Sequence, residues 1–298
     1  MTEQAAYRSG MVALVGRPNV GKSTLMNKIL GEKVSIVSRR PQTTRHRIMG
    51  IHSGDDFQMV FVDTPGIHQS NKKINRYMIQ AATSALEGVD VVVMVVEALR
   101  WENQDAAILE RLGEVNTPVI LVINKVDEVA PREKLLPFLE GMQERFTFAA
   151  MIPLSAQKGD NVAPLEEEIL ARLPEGPPLF PEDQITDRSL RFLCAELVRE
   201  QLFHQLGEEV PYATEVQVDA FQEEAKRTRI QGTILVEREG QKAIVLGKGG
   251  RRIKAVGTAA RHALEALLGG KVHLELFVQV RRGWTSDERA LRELGYEE

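Results

Sequence analysis

A glycine-rich stretch near the start of the chain has the residue types that hold phosphate groups. It reads GRPNVGKS and matches the pattern GxxxxGK[ST]. Its glycines let the backbone curl until successive amides face phosphate oxygens, while Lys22 can reach the β- and γ-phosphates. The hydroxyl of Ser23 can bind Mg²⁺. The predicted phosphate-binding residues are Gly16, Asn19, Val20, Gly21, Lys22, Ser23 and Thr24.

A second motif, Asp63-Thr64-Pro65-Gly66, follows an apolar run at residues 57–62. The carboxylate of Asp63 can hold Mg²⁺ through water, and the amide of Gly66 can bind the γ-phosphate. Alone this motif reads as an ordinary turn, but the glycine-rich loop upstream favours the functional interpretation. We therefore expect Asp63 and Gly66 to contact the metal and the nucleotide, respectively.

The polar, basic segment 34–47 lies between these two motifs. A solvated loop is the simple interpretation. The functional one is a mobile segment in which Thr44, or else Thr43, binds Mg²⁺ only when a γ-phosphate is present. We favour Thr44, and we expect Lys22, Thr44 and Gly66 to act in the chemistry.

A third motif, Asn124-Lys125-Val126-Asp127, has the groups needed to read a guanine base. The carboxylate of Asp127 can accept hydrogen bonds from N1–H and the 2-amino group of guanine, whereas adenine would leave it unpaired. Asn124 can hold the loop and the base edge, and Lys125 can lie along the purine plane. In the downstream pair Ser155-Ala156, the amide of Ala156 is predicted to donate to guanine O6.

These motifs lie among five short apolar runs, at residues 11–15, 57–62, 89–96, 118–123 and 149–154. Several runs are apolar at successive residues, which is typical of strands buried on both faces. Helical patterns such as 103–112 and 132–146 lie between them. The alternation predicts an α/β domain with a mostly parallel sheet and helices on both faces. Nucleotides bind beyond the carboxyl ends of the strands in such sheets.

A proline-rich stretch then interrupts this pattern, with Pro174, Pro177, Pro178 and Pro181 within eight residues. Proline lacks an amide hydrogen and fixes φ, which disfavours both helix and inner strand. A surface loop fits, but the change of pattern on its two sides favours an interdomain linker. We predict a nucleotide-binding domain at residues 1–180, a linker at 174–185 and a second domain at 186–298.

The second domain is predicted to have the order α-β-β-α-α-β, followed by a short C-terminal helix. Its first helix, at about residues 187–206, is predicted to be N-capped by Asp187. A GxxG sequence lies within the string VLGKGGRRIK. Glycines there would let a sugar–phosphate chain approach, and basic side chains would meet its phosphates. The predicted RNA-binding residues are Gly247, Lys248, Gly249, Gly250, Arg251, Arg252 and Lys254.

The order of the nucleotide motifs resembles the Ras-like superfamily of translation-factor-related GTPases, and the second domain resembles a bacterial-type KH domain. The strings PQTTRHR, DTPGIH, NKVD and VLGKGGRRIK are similar to those of the Era family over nearly the whole chain. This resemblance implies a P-loop GTPase domain of the TrmE-Era-EngA-YihA-Septin-like class, followed by an α+β type II KH domain. It also implies binding of GTP, GDP and Mg²⁺.

The same resemblance implies a partner and a cellular location. We expect binding to 16S ribosomal RNA near its 3′ end and a role in assembly of the 30S subunit. The expected protein is a cytoplasmic monomer with loose peripheral contact at the inner face of the cell membrane. Two alternatives stay open: an RNA-binding module whose GTP hydrolysis is incidental, and a related tRNA-modification GTPase.

Two residues narrow the expected chemistry. Ile67 stands where Ras-like proteins carry a glutamine that orients the attacking water, so slow intrinsic turnover is expected. Asn19 stands where related bacterial GTPases have an asparagine that is associated with a potassium ion beside the phosphates. A loop-shaping role for Asn19 is the alternative.

The amino-acid composition further limits the functions that this chain can have. The chain has 38 basic and 42 acidic residues, a formal net charge of −4, which argues against RNA binding through a broad basic surface. Residues 240–264, however, contain six Lys and Arg and no acid. Cys194 is the only cysteine, which excludes an internal disulfide and a Cys-based zinc site and fits a reducing compartment. No signal-peptide pattern is visible at the start.

Overall fold

The computed structural model describes residues 6–65, 74, 77, 78, 81, 84–207 and 209–296. The chain divides into two units. The first contains Met1–Ser35, Thr44–His68 and Met78–Asp187, and the second contains Ile36–Thr43, Gln69–Tyr77 and Arg188–Glu298. The division near residue 187 lies close to the predicted end of the linker. Two internal segments, however, group with the second unit, which the linear domain prediction does not include.

The first unit is built on a six-stranded sheet with the order β2-β3-β1-β4-β5-β6. The strands are β1 (Arg8–Val15), β2 (Ile48–Ser53), β3 (Phe57–Asp63), β4 (Val91–Glu97), β5 (Val119–Asn124) and β6 (Ala150–Pro153). All neighbours pair in parallel except β2 and β3. The five predicted apolar runs are confirmed as β1, β3, β4, β5 and β6.

Strand β2 was not among the predicted strands. Gly50 interrupts its short pattern, because α1 (Lys22–Leu30) packs closely against it. A Cβ atom at Gly50 would lie 2.6 Å from Leu30 and 3.0 Å from Met26. A residue chosen for close packing against a helix therefore hides the strand pattern in the sequence.

Helices cover both faces of this sheet, as predicted. Ala13 and Val15 share one core cluster with α2 (Asn103–Leu112) and α3 (Leu135–Gln143). Val12 and Leu14, which point to the other face, are also fully buried. A further helix, α4 (Val162–Leu170), follows β6. Both faces of β1 are buried, which explains its uninterrupted apolar sequence.

The proline-rich stretch belongs to the first unit and packs against β3 and the edge strand β2 of its sheet. Gln58, which is fully buried, accepts hydrogen bonds from the amides of Leu179 and Phe180 through Oε1. Nearby, the amide of Ile51 donates to the carbonyl of Ile185 at 2.9 Å. The stretch is therefore fixed to β2 and β3 over much of its length, and its role as an interdomain linker stays a prediction. Edge strands have unpaired backbone groups that such a segment can satisfy.

The second unit has a three-stranded sheet with the order β7-β8-β9. In chain order its elements are α5 (Leu190–Gln205), β7 (Glu215–Glu224), β8 (Arg227–Val236), α6 (Glu239–Leu246), α7 (Arg251–Leu268), β9 (Val272–Val280) and α8 (Glu288–Glu293). This order confirms the predicted α-β-β-α-α-β plus a C-terminal helix. Strands β7 and β8 pair antiparallel, and β8 and β9 pair parallel.

The predicted N-cap of α5 was wrong by two residues. Ser189 caps the helix, because its side chain accepts from the amide of Phe192. Asp187 instead accepts a hydrogen bond from the amide of Met49 through Oδ1. Asp and Ser are both favourable N-cap residues. The hydrogen bond of Asp187 to the amide of Met49 in β2 leaves Ser189 to cap the helix.

Segment 36–43 is fastened to α5 within the second unit. Ile36 lies in the core cluster of this unit, and Glu200 accepts a hydrogen bond from the amide of Val37 at 3.0 Å. Arg199, which is fully buried, donates to the carbonyl of Thr43 at 2.7 Å. Arg40 donates to the carbonyls of Leu206 and Gly207, at 2.5 and 2.8 Å, near the end of the helix. This segment therefore has a fixed partner instead of being the free solvated loop that its composition indicates.

No helix in the part of the chain that the structure describes is long and apolar enough to cross a lipid bilayer.

Candidate functional site

The phosphate loop connects β1 to α1 in the first unit and depends on two glycines. Gly16 has φ 151°, and a Cβ there would lie 2.3 Å from the carbonyl oxygen of Val95 in β4. Gly21 has φ 104°, and a Cβ there would lie 2.2 Å from Nδ2 of Asn124. Any larger residue would push the loop away from these strands, so the predicted need for glycine has a direct structural cause.

The other predicted residues of the phosphate loop lie just before α1 or in its first turn. Asn19 is exposed with φ 65°, and Val20 is fully buried. Ser23 and Thr24 lie in the first turn of α1, whose N-terminus carries partial positive charge. Amides and helix end together form a site suited to an anion.

Lys22 is almost completely buried at the base of this loop. Its ammonium donates to the carbonyls of Gly16 at 2.8 Å and Arg17 at 3.2 Å. Burial lowers the pKa of Lys22 to about 8, although the charges of Asp63 and Asp105 act to raise it. A bound phosphate would supply the negative charge that favours the protonated form.

Oxygen donors meet at the predicted magnesium position. The hydroxyl of Ser23 lies 3.0 Å from that of Thr44 and donates to Oδ2 of Asp63 at 2.6 Å. Asp63 is fully buried, and among the described residues its Oδ1 has no hydrogen-bond partner. Burial raises the pKa of Asp63, against the lowering effect of Lys22 and of hydrogen bonds from Ser23 and Ser35. Two hydroxyls and a desolvated carboxylate fit Mg²⁺, which prefers oxygen ligands.

The structure separates the two candidate threonines. Thr44 belongs to the first unit beside Ser23, whereas Thr43 belongs to the second unit, where its hydroxyl donates to the carbonyl of Arg40 at 2.9 Å. The geometry therefore favours Thr44 as the metal ligand.

Gly66 and Ile67 lie outside the described residues. Sequence reasoning missed Ser35, whose hydroxyl donates to Asp63 at 2.9 Å.

The base motif follows β5, and its asparagine ties three loops together. Nδ2 of Asn124 donates to the carbonyl of Val20 at 2.7 Å, and Oδ1 accepts from the amide of Ala156 at 2.9 Å. Because that amide hydrogen points to Asn124 in this structure, the role of Ala156 in reading guanine O6 stays a prediction. Ser155 is fully buried, and its hydroxyl accepts from the amide of Lys158.

Two charged partners of the base motif were not predicted. Lys158 places its ammonium 3.8 Å from Oδ2 of Asp127, whose side chain is only 12% exposed. Lys125 donates to Oε2 of Glu97 at 3.1 Å. Lys158 belongs to the string SAQKG that follows β6. The position of this string in the motif order is the sequence signal that could have identified Lys158.

In the second unit, the GxxG loop joins α6 to α7. Gly247 has φ 69°, and a Cβ there would lie 2.7 Å from Cβ of Arg252, so this position requires glycine. Gly249 and Gly250 also have positive φ, but they face open space. The four predicted basic residues are exposed: Lys248, Arg251, Arg252 and Lys254.

A groove of about 330 Å³ lies beside this loop, between α7 and β9. Ile253, Gly257, Leu274 and Leu276 give it an apolar lining, and Lys254 and Arg261 add positive charge. A groove that combines apolar and basic side chains suits single-stranded RNA, whose bases stack and whose phosphates are anionic.

Comparison with protein families and known proteins agrees with both halves of this description. A family model described as 50S ribosome-binding GTPase matches residues 11–125, and a KH domain model matches residues 209–285. The chain is 53% identical to GTPase Era of Stenotrophomonas maltophilia over 298 residues, which is all of both chains. It is 54% identical to GTPase Era of Xanthomonas oryzae over 292 residues, 98% of each chain.

Two solved structures are similar over nearly the whole chain. One is Era in complex with MgGDPNP and nucleotides 1506–1542 of 16S ribosomal RNA, and the other is a variant of Aquifex aeolicus Era bound to GDP·AlF₄⁻. Each has a TM-score of 0.94 and 40% identity, and covers 98% of this chain and 100% of its own. With a GTPase domain and a KH domain in this order and relatives this similar from end to end, the chain belongs to the Era family of GTPases.

Proposed function

We propose that this GTPase binds 16S ribosomal RNA near its 3′ end through the second unit and assists assembly of the 30S subunit. The observation that carries this proposal is the full-length similarity to an Era bound both to a GTP analogue and to a 16S ribosomal RNA fragment. The exposed GxxG loop and its apolar groove supply the chemistry that single-stranded RNA needs.

We propose the following roles in GTP hydrolysis, in which water attacks the γ-phosphate. Lys22 and the loop amides stabilise the charge that develops on the phosphate oxygens. Ser23, Thr44 and Asp63 hold Mg²⁺, which neutralises phosphate charge when bound. No side chain that orients the attacking water is evident among the described residues, so the intrinsic rate is expected to be slow.

Guanine selection is assigned to the base motif. Asp127, held by Lys158, accepts hydrogen bonds from the base, and Lys125 covers the purine plane. The buried amide of Asn124 keeps the phosphate loop and the base loop at a fixed distance. Because Asp127 is largely buried, a base that cannot donate to it leaves a desolvated carboxylate unpaired, which is costly.

The chain path supports a switch rather than incidental hydrolysis. Ser35 and Thr44 both hydrogen-bond within the magnesium cluster, and the residues between them are fastened to α5. Since Thr44 follows Thr43 directly, a movement of Thr44 on nucleotide exchange is transmitted along the chain to a segment of the RNA-binding unit. Hydrolysis would then change RNA affinity and reset the protein.

A potassium ion beside Asn19 is a second part of this proposal. The exposed position of Asn19 in the phosphate loop allows its side chain to contact an ion next to the phosphates. Faster GTP hydrolysis in KCl than in NaCl at equal ionic strength would support this role. Equal rates would leave Asn19 as a loop-shaping residue.

With this ribosomal partner, we expect the protein to act in the bacterial cytoplasm. The loose contact with the inner face of the membrane stays a prediction of the family resemblance, as does the monomeric state.

Two experiments test the function. Crosslinking and sequencing of RNA bound in cells should recover the 3′ end of 16S ribosomal RNA, whereas recovery of tRNA would favour the tRNA-modification alternative. RNA affinity should also differ between the GDP form and the form with a non-hydrolysable GTP analogue. Equal affinities would contradict the switch and favour the RNA-binding module with incidental hydrolysis.

A further inference from the structure

One carboxylate, that of Glu97, connects the phosphate loop to the base loop. Its Oε2 accepts hydrogen bonds from Nη2 of Arg17 at 3.2 Å and from Nζ of Lys125 at 3.1 Å. Arg17 is the second residue of the phosphate loop, and Lys125 is the second residue of the base motif. Glu97 itself belongs to none of the nucleotide motifs.

The sheet order explains why this position can reach both loops. Strand β4 lies between β1 and β5, and Glu97 is its last residue, directly opposite Asn124 in the parallel ladder. The next amide, that of Ala98, donates to the carbonyl of Asn124 at 2.9 Å. A side chain at the carboxyl end of β4 is therefore flanked by the two loops that the nucleotide needs.

The two cations depend on Glu97 to different degrees. Arg17 is 5% exposed and also pairs with Asp105 at 3.2 Å and with Glu102 at 3.7 Å, so it keeps partners when Glu97 is changed. Within the described residues, Glu97 is the only carboxylate that pairs with Lys125. Burial alone would raise the pKa of Glu97, but the hydrogen bond from Lys125 and the charges of Lys125 and Arg17 outweigh it and lower the pKa.

We propose that Glu97 is a positioning residue for the guanine nucleotide, because it holds Lys125 over the purine plane and ties the base loop to Arg17. This inference rests on the proposed nucleotide site and deepens it. Because Lys125 is proposed to cover the base and not the γ-phosphate, we expect Glu97 to strengthen the binding of GDP and GTP equally. Base identity stays with Asp127, which Glu97 does not contact.

The variant Glu97→Gln tests this role in the full-length protein. It keeps the size of the side chain but removes its charge. We expect a fluorescent GDP and a fluorescent non-hydrolysable GTP analogue each to dissociate about tenfold faster. The KM for GTP should rise while kcat changes less than twofold. The ratio of GDP affinity to inosine diphosphate affinity should stay at the wild-type value.

Glu102→Gln is the matched control. Glu102 also lies near Arg17, but its closest ion-pair partner among the described residues is Arg100 at 2.6 Å, and it does not pair with Lys125. This variant should dissociate GDP at the wild-type rate. A double-mutant cycle with Lys125→Met adds a second control, because Glu97→Gln should have little further effect once Lys125 is removed.

Several outcomes would overturn the role of Glu97. They are wild-type dissociation rates in Glu97→Gln, fully additive effects in the cycle, or a lower Tm with unchanged dissociation. A change in the GDP to inosine diphosphate ratio would also contradict it, because it would make Glu97 part of base recognition. Failure of the wild-type protein to bind GDP at all would instead refute the proposed nucleotide site itself.

Discussion

Lys22 and Lys248 are both proposed to meet phosphate groups, yet their surroundings differ. Lys22 is 6% exposed, bonded to two loop carbonyls and has a pKa lowered by burial. Lys248 is exposed, and within the described residues no side chain pairs with its ammonium. One lysine is fixed before a ligand arrives, whereas the other is free to adapt to the chain that it meets.

The same contrast holds for the two sites as a whole. The nucleotide site is a set of buried polar groups that position one another, as Asn124 does for two loops. The GxxG loop has exposed cations around a backbone that glycine keeps open. Preorganised buried groups support selective binding and catalysis, because each mismatch leaves a desolvated group unpaired. Exposed charges give affinity that tolerates variation in the ligand and depends on salt.

The largest effect is expected at the buried lysine. Lys22→Met should lower the rate of GTP hydrolysis by about 10²–10³-fold, because a positioned cation at the phosphates is lost. Lys28→Met, on the exposed side of the same helix, should leave the rate unchanged. Steady-state phosphate release measures both. Equal rates of GTP hydrolysis in the two variants would contradict the role of Lys22 as a buried, positioned cation at the phosphates.

Asp127→Asn should change the base preference of the buried site. An amide at this position can donate where the carboxylate only accepts, so affinity for guanine nucleotides should fall by about 100-fold while xanthine nucleotides gain. Competition between GDP and xanthosine diphosphate measures the change. A variant that keeps its preference for GDP would contradict the assigned role of Asp127.

The exposed site should respond more gradually. Lys248→Glu should weaken RNA binding by about tenfold and reduce its dependence on salt, with basal GTP hydrolysis unchanged. Lys271→Glu is the matched control, because Lys271 is exposed but lies outside the GxxG loop. RNA titrations at several salt concentrations measure the slope. Equal losses in both variants would point to general charge rather than to the loop.

Gly247→Asp should disturb the backbone of this loop as well as change its charge, because a side chain at Gly247 would meet Arg252. Gly249, in contrast, faces open space. RNA binding should be abolished by this variant, whereas Gly249→Asp should weaken it and leave the fold intact. Cys194 reports the fold, since burial raises its thiol pKa to about 12 and protects it from alkylation. If RNA affinity survives in Gly247→Asp, the assignment of the loop is wrong.

The smallest effect is expected for the proposed coupling of the nucleotide site to the RNA-binding unit through segment 36–43. Arg40→Gln removes two hydrogen bonds that fasten segment 36–43 to α5. The difference in RNA affinity between the GDP and GTP-analogue forms should shrink severalfold, while each form still binds RNA. Arg191→Gln, an exposed change on the same helix, should keep the full difference. An unchanged difference in Arg40→Gln would mean that this segment does not transmit the nucleotide state.

The sequence was informative where one residue type has one chemical use. The GxxxxGKS loop and the NKVD motif were recognisable from residue types at fixed spacing, whereas the GxxG loop also needed its apolar and basic neighbours and the predicted α-β-β-α-α-β order. Strands buried on both faces were predictable because their apolar residues follow one another without alternation. The same reasoning missed β2, because Gly50 is present there for close packing against α1. It also assigned the N-cap of α5 to Asp187, whereas Ser189 caps the helix.

Sequence by itself therefore determined the class of ligand and, apart from β2, the order of the strands, and it predicted candidate residues for the phosphates. Only the tertiary structure decided which groups support them. It placed Thr44 and not Thr43 beside Ser23, packed the proline-rich stretch against β3 and brought Glu97 between Arg17 and Lys125. These contacts join residues far apart in the chain, and their partners are ordinary charged or polar side chains. Local patterns carry no information about such pairs, because strand order and packing alone bring them together.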